Sequence, residues 1–353
     1  MNDAKPDPLV RRVRGVRRVV ISPGSVSVQE TARHDRPGGW ARLKVLACGV
    51  CGTDLHLLHG MTMPSGAEYP VYPGHEVAAR VLEADPDAKL PPGTVVILHP
   101  LLPCGACDRC KTGREHQCPS AEMLGIHRPG GLSDEVIWRS DRLVAVNDLD
   151  PMLAALLPDA VATAYHAVKR AALPPGGKLA VIGAGGVGTN VLQICRALDP
   201  SSQAIAVVHS DSTARRIAGL GFPIVQGLEG AGRAVRKLVG DMDTVIDFSG
   251  VAAAPSEAIR MLRRGGRLVL GAILDEKVAF ATTYTGLVTR EIEIVGSYAS
   301  TLSDLRAVAE LATSGRLPLD GLVSHVIDLD NAPDALDILE QRPPGMVRVV
   351  VKP

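Results

Sequence analysis

The chain has 353 residues, 46% of them hydrophobic, and its 38 Lys and Arg are balanced by 38 Asp and Glu. That length supports two domains with real cores, while zero net charge argues against a nucleic-acid-binding surface. No segment reaches the apolar length of a membrane span, so a soluble protein is expected.

From the N-terminus, Met1-Asn2-Asp3-Ala4-Lys5-Pro6 is polar and lacks the apolar core of a signal peptide, and reduced thiols at metal-type spacing further on predict a cytoplasmic protein. Arg11, Arg12, Arg14, Arg17 and Arg18 alternate with valines, the pattern of a strand with a solvated basic face. Residues from about 10 to 150 are rich in Val, Gly and Pro and carry short alternating runs such as 41–45, which predicts a twisted, barrel-like β domain with long loops. Within it stand Cys51-Gly52-Thr53-Asp54-Leu55-His56 and Gly74-His75-Glu76. Cysteine, histidine and carboxylate are the donors of a zinc site that keeps one position open for water or substrate. Taken singly, each is weak: a lone cysteine is usually core, and a lone histidine usually makes an ordinary hydrogen bond.

Next come four cysteines in fifteen residues, Cys104-x2-Cys107-x2-Cys110-x7-Cys118. Turns between ligands let paired thiolates reach one tetrahedral zinc, and Gly105, Gly113 and Pro119 suit such turns. A disulfide cluster is the alternative, but there is no secretory signal and seven cysteines leave one over. Four thiolates close a site, so this zinc is expected to hold a loop together without doing chemistry.

Near Asp150-Pro151 the texture changes to helical runs alternating with apolar strands at 178–182, 204–208, 244–247 and 267–271, which predicts a doubly wound parallel sheet. After the first of these strands stands Gly183-Ala184-Gly185-Gly186-Val187-Gly188, leading into a helical run at 189–198. Gly183 permits the tight turn, Gly185 lets backbone approach a pyrophosphate, and Gly188 allows close helix–strand packing, with the helix N-terminus facing the phosphates. An acidic residue at the end of the second strand would accept from the ribose 2′-hydroxyl of NAD. Val208 holds that place here. His209, Ser210 and Arg215 or Arg216 are candidates to receive a 2′-phosphate, so NADP(H) is favoured over NAD(H) unless Asp211 folds back to do the acidic job. A helix is expected at 302–314, followed by strands that rejoin the first domain. The boundaries read as 1–156 and 298–353 for a catalytic domain and 157–297 for the dinucleotide-binding domain.

Together, the open-site donors, the four-cysteine lobe and the glycine turn resemble the zinc-dependent medium-chain alcohol dehydrogenases, in that family's order and spacing over nearly the whole chain. The resemblance implies a GroES-like catalytic domain joined to a Rossmann domain, two zinc ions per chain, and interconversion of an alcohol with its carbonyl. It implies Cys51 and His75 as catalytic-zinc ligands, with Glu76 beside the metal and able to enter its shell. Asp54 is implied as the carboxylate that orients the histidine, Thr53 as the hydroxyl that takes the alcohol proton, and His56 as the outer end of a relay through the nicotinamide ribose. Arg348 matches a residue that touches the cofactor pyrophosphate. The third ligand, commonly cysteine, falls on Asp159 in Pro158-Asp159-Ala160-Val161-Ala162-Thr163-Ala164-Tyr165, where a helix N-cap is the alternative. Family members pair through the last strand of the parallel sheet, here 291–295, which implies a homodimer or homotetramer.

Two alternatives remain, a zinc-lobe nucleic-acid-binding module and a metal-independent NADPH enone or quinone reductase on the same scaffold, and residue content weighs against both. A zinc-lobe nucleic-acid module would need a basic face, but Asp108 and Glu115 offset Arg109, Lys111 and Arg114. A metal-independent enone reductase would not need Cys51, His75 and Asp159 together. The substrate is expected to be a secondary alcohol or a polyol such as a cyclitol. Three phenylalanines are too few for a large aromatic cage, and His99, His127 and Arg128 are candidate partners for substrate hydroxyls around Pro100.

Overall fold

The computed structural model describes residues 15–353, so Arg11, Arg12 and Arg14 of the basic run lie outside the described residues. Alternating valines build the hairpin β1 (Val16–Ser22) and β2 (Ser25–Thr31). Its arginines are not simply solvated, as the alternation suggests. Arg17 pairs with Asp134 and Asp330, each at 2.7 Å, while Arg18 is only 4% exposed, bonded to Thr31 and lying over the Tyr72 ring. Charged partners from distant segments close over this face.

β3 (Trp40–Val50) leads into α1 (Gly52–Leu58), then β4 (Glu76–Glu83) and β5 (Val95–Leu98). The two-residue strands β6 (Leu101–Leu102) and β7 (Glu122–Met123) pair and bracket the four-cysteine lobe, which contains the single-turn helix α2 (Asp108–Lys111). β8 (Glu135–Arg139), β9 (Leu143–Ala145) and the Asp150-capped α3 (Pro151–Ala154) complete this stretch.

The second unit begins with α4 (Ala162–Ala171). It continues as β10 (Lys178–Ile182), α5 (Gly186–Leu198), β11 (Gln203–Val208), α6 (Asp211–Gly219), β12 (Ile224–Gln226), α7 (Ala231–Val239) and β13 (Met242–Asp247). α8 (Ala254–Met261), β14 (Leu262–Leu270), α9 (Tyr284–Arg290) and β15 (Glu293–Gly296) close it. All six strands are parallel, in the order β12-β11-β10-β13-β14-β15. The strand order reverses between β10 and β13, and ligands of such sheets bind outside the strand ends at that point. The last strand starts at Glu293, not at 291, because Glu291 is the left-handed cap of α9, with φ +51°.

The chain then returns through α10 (Leu302–Thr313), β16 (His325–Asp328), α11 (Ala332–Gln341) and β17 (Val349–Lys352). The catalytic sheet runs β16-β17-β3-β4-β5-β9, with β8 on β3. One buried apolar cluster includes Ala78 and Ile97 of this sheet together with Leu156, Val161, Val191 and Leu305, so the two units share a core. Among the described residues, no helix is long and apolar enough to cross a membrane.

Candidate active site

Three separate segments bring the first cluster together. Cys51 is the extended N-cap of α1, and its amide donates to Asp54 Oδ2 at 2.9 Å, which fixes the turn that presents the thiol. His75 immediately precedes β4 and Glu76 opens it, behind Gly74, whose φ of +100° and close approach to the Leu132 amide leave no room for a Cβ. Asp159 sits in a single π-helical turn, Leu157–Val161, just before α4. Such wide turns re-aim a side chain that a regular helix would point elsewhere.

Asp159 Oδ2 lies 3.3 Å from Cys51 Sγ and 3.5 Å from His75 Nε2. One donor atom from each of Cys51, His75, Glu76 and Asp159 falls within 4.8 Å of the others. Ligands held 2.0–2.3 Å from a tetrahedral zinc stand about 3.3–3.8 Å apart, so the spacing fits an ion at the centre. The electrostatics agree. Burial works against a charged His75, yet Asp159 and Cys51 raise its pKa well above the usual value. Burial alone would raise Asp159, but His75 holds its carboxyl well below the usual range; burial, then Asp159, pushes the Cys51 thiol up.

Asp159 does not cap α4. Its Oδ1 accepts from Thr163 Oγ1 at 2.8 Å, while the cap position is Val161, without a side-chain cap. Glu76 is fully buried, with Oε1 2.7 Å from Arg348 Nη2 and Oε2 without a partner. Asp54 is also fully buried; one oxygen serves the Cys51 amide and the other is unpartnered. On α1, Thr53 is half-buried and His56 exposed one turn further on.

The glycine turn faces this cluster through Arg348. Gly183 has φ +84°, and a Cβ there would meet the Ser249 backbone; a Cβ on Gly188 would strike the Gly183 carbonyl oxygen. Beside Gly185 there is open space, the cradle a pyrophosphate requires. Val187 follows in the first turn of α5, and the Arg348 side chain lies against Gly186 while its guanidinium pairs with Glu76. At the end of β11, Val208 is buried, His209 exposed, and Ser210 caps α6 by accepting from Thr213. Asp211 is engaged by Gln226 Nε2. Arg215 is exposed, whereas Arg216 turns inward to Thr189 Oγ1 and the Ala184 carbonyl, at 2.9 and 2.7 Å.

The second cluster is the lobe. Cys110 Sγ lies 3.4 Å from Cys107 Sγ and 3.9 Å from Cys104 Sγ, with Cys118 completing the set. Bonded sulfurs would stand about 2.05 Å apart, and four thiolates around zinc about 3.8 Å apart. Backbone amides of Ala106 and Cys107 lower Cys104 to about 6, while burial pushes Cys110 up to about 12.

His99, His127 and Arg128 each have partners within the protein. His99 is fully buried between the carbonyls of Leu101 and Ser300, His127 Nδ1 accepts from the Met123 amide, and Arg128 forks onto Glu122. Three other residues matter to which the sequence assigns no role. Thr163 holds Asp159, Asn190 joins α5 to the π turn, and Tyr298, although 53% exposed, has its phenol pKa raised by burial and then by the Asp159 charge.

Comparison with known proteins agrees with this geometry. Residues 37–148 match the alcohol dehydrogenase GroES-like domain, and residues 186–314 match the zinc-binding dehydrogenase domain. D-arabinitol dehydrogenase 1 of Uromyces fabae is 29% identical over 88% of this chain and 89% of its own length. An NAD-dependent alcohol dehydrogenase of Saccharolobus solfataricus is 29% identical over 93% of this chain and 96% of its own. A protein from Sinorhizobium meliloti 1021 described as a zinc-binding dehydrogenase, and crystallised with NADP, superposes with a TM-score of 0.86 at 29% identity, covering 96% of this chain and 99% of that one. Two domain matches in the right order, with full-length relatives of the same kind, establish that the chain belongs to the zinc-dependent medium-chain alcohol dehydrogenase family.

Proposed function

We propose that this chain interconverts a secondary alcohol, with small polyols as the favoured class, and its carbonyl, using NADP(H) and holding two zinc ions. The observation that carries the reading is the convergence of Cys51, His75 and Asp159 beside a glycine turn that is linked to them by Arg348. Bound here, zinc would supply Lewis acidity and the nicotinamide a place for hydride. The protein's part is positional. Cys51, His75 and Asp159 hold the open-site metal, with Glu76 in reserve on the Arg348 side. Thr53 takes the alcohol proton, and exposed His56 passes it to solvent. Residues 15–156 and 298–353 form the catalytic unit that carries Cys51, His75 and the lobe, and 157–297 the dinucleotide unit, which lends Asp159, with the reaction in the cleft between them, where water is excluded. The polyol preference rests on the arabinitol-oxidising relative and on Tyr298, a half-exposed hydroxyl near the metal ligands.

Asp159→Ala tests the metal reading. The variant is expected to lose one of two zinc ions and more than about a hundredfold in kcat/KM, with the lobe zinc retained. Full activity with two zinc ions would refute Asp159 as a ligand.

The nucleotide reading rests on Val208, which offers no acceptor to a 2′-hydroxyl, and on the Ser210 hydroxyl and N-terminal end of α6 beside it. His209, Ser210 and exposed Arg215 are the proposed 2′-phosphate partners, since Arg216 is already engaged. Val208→Asp is expected to shift the kcat/KM ratio toward NAD by at least about tenfold through repulsion of the phosphate. A wild-type enzyme that prefers NAD would overturn this part.

A further inference from the structure

Asn190 is 1% exposed on the face of α5 that packs against the π turn. Its Nδ2 donates to two carbonyls at once: Gly186 O at 2.9 Å, in the glycine turn, and Ala160 O at 3.1 Å, in the residue following Asp159. Its Oδ1 is buried without a partner. Burying an amide with half its capacity unused is unfavourable compared with the Val or Ile that neighbouring α5 positions carry. The one amide group therefore ties the backbone of the pyrophosphate turn to the backbone that aims the third metal ligand.

We infer that Asn190 is a positioning residue that couples dinucleotide binding to the catalytic-site metal, so that each tightens the other. The inference rests on the metal and nucleotide sites proposed above. When pyrophosphate orders the turn at Gly186, the Asn190 amide is held in place, and with it the Ala160 carbonyl and the direction of Asp159. Linkage makes the effect reciprocal: metal at Asp159 raises nucleotide affinity by the same factor. A second bridge, Arg348 between Gly186 and Glu76, runs in parallel and carries the remainder.

The test is a fluorescence titration of NADPH onto the full chain, with both metals present and after a chelator has removed the open-site metal but left one zinc in the lobe. Wild type is expected to bind NADPH about tenfold more weakly once that metal is gone, and Asn190→Ala to show a ratio of about threefold or less. Asn190→Ser, too short to span both carbonyls, serves if the alanine variant does not fold; one retained lobe zinc reports an intact fold. A ratio that stays above threefold in the variant, or a wild-type ratio near one, overturns the inference while leaving both sites standing. A wild-type chain that never holds a second metal removes the site reading itself, and the inference falls with it.

Discussion

The proposed third metal ligand, Asp159, is held by the threonine four residues after it. Thr163 donates to Asp159 Oδ1 at 2.8 Å and leaves Oδ2 to face Cys51 and His75. Thr163→Val keeps the shape but removes the donor, so the carboxylate gains freedom to rotate. Zinc affinity at the open site is expected to fall about tenfold or more, as for other outer partners of metal ligands, and a chelator competition would read it; unchanged affinity would leave Thr163 as packing. The lobe cysteines are legible in the sequence from their spacing alone, whereas Cys51, His75 and Asp159, weak singly, are legible through the family resemblance that their order carries. Thr163 stands in that run without a role of its own, and Asn190 and Tyr298 carry no signal, because such residues acquire a role only from what the fold sets against them. His99, His127 and Arg128, candidate substrate partners in the sequence, bond to Leu101, Ser300, Met123 and Glu122, and only His99 is fully buried.

At the level of elements, the strands and helices of the parallel sheet follow from apolar runs punctuated by glycine, so they were readable. The π turn was not, since nothing in Leu157–Val161 distinguishes a wide turn from the start of α4. The docking of the lobe was equally hidden. Glu115 Oε1 accepts from the Leu302 amide at 2.9 Å, and the His116 and His166 rings meet edge-on with centroids 4.5 Å apart. Asp304 completes this junction: fully buried, it accepts from His166 and Lys169 at 2.8 and 2.6 Å and from the Thr301 amide at the start of α10. Burial alone would raise its pKa, but His166 and Lys169 hold it well below the usual value. A depressed native pKa stabilises the fold above the unfolded value of about 4 and ceases to do so as pH falls toward the native one. Asp304→Asn is therefore expected to cost about 2–3 kcal/mol at pH 7, with the difference from wild type shrinking below about pH 4. Denaturant titrations at both pH values check it; a difference that does not change with pH would show that packing, not charge, is lost.

Among the described residues, β15 leaves one edge of the six-stranded sheet unpaired, and Tyr284 and Val288 on the helix leading into it are 84% and 56% exposed. An open edge beside exposed apolar side chains invites pairing with a second copy. We therefore propose a dimer built through β15; sedimentation at micromolar concentration is expected to show it, and a stable monomer would refute it.

The place of β17 has a consequence for how the protein is made. Residues 349–352 lie inside the catalytic sheet, between β16 and β3, with Val349 opposite Val50, and Arg348 enters the site immediately before them. The parallel sheet, by contrast, uses one unbroken stretch from β10 to β15. During synthesis the dinucleotide unit has all its strands long before the metal-holding unit does. β3 must emerge from the ribosome and wait, with one edge open, for about three hundred residues. Closing so distant a pair is slow. The catalytic half is then completed by its last strand, which delivers in one step the sheet's central partner and the cation that neutralises Glu76.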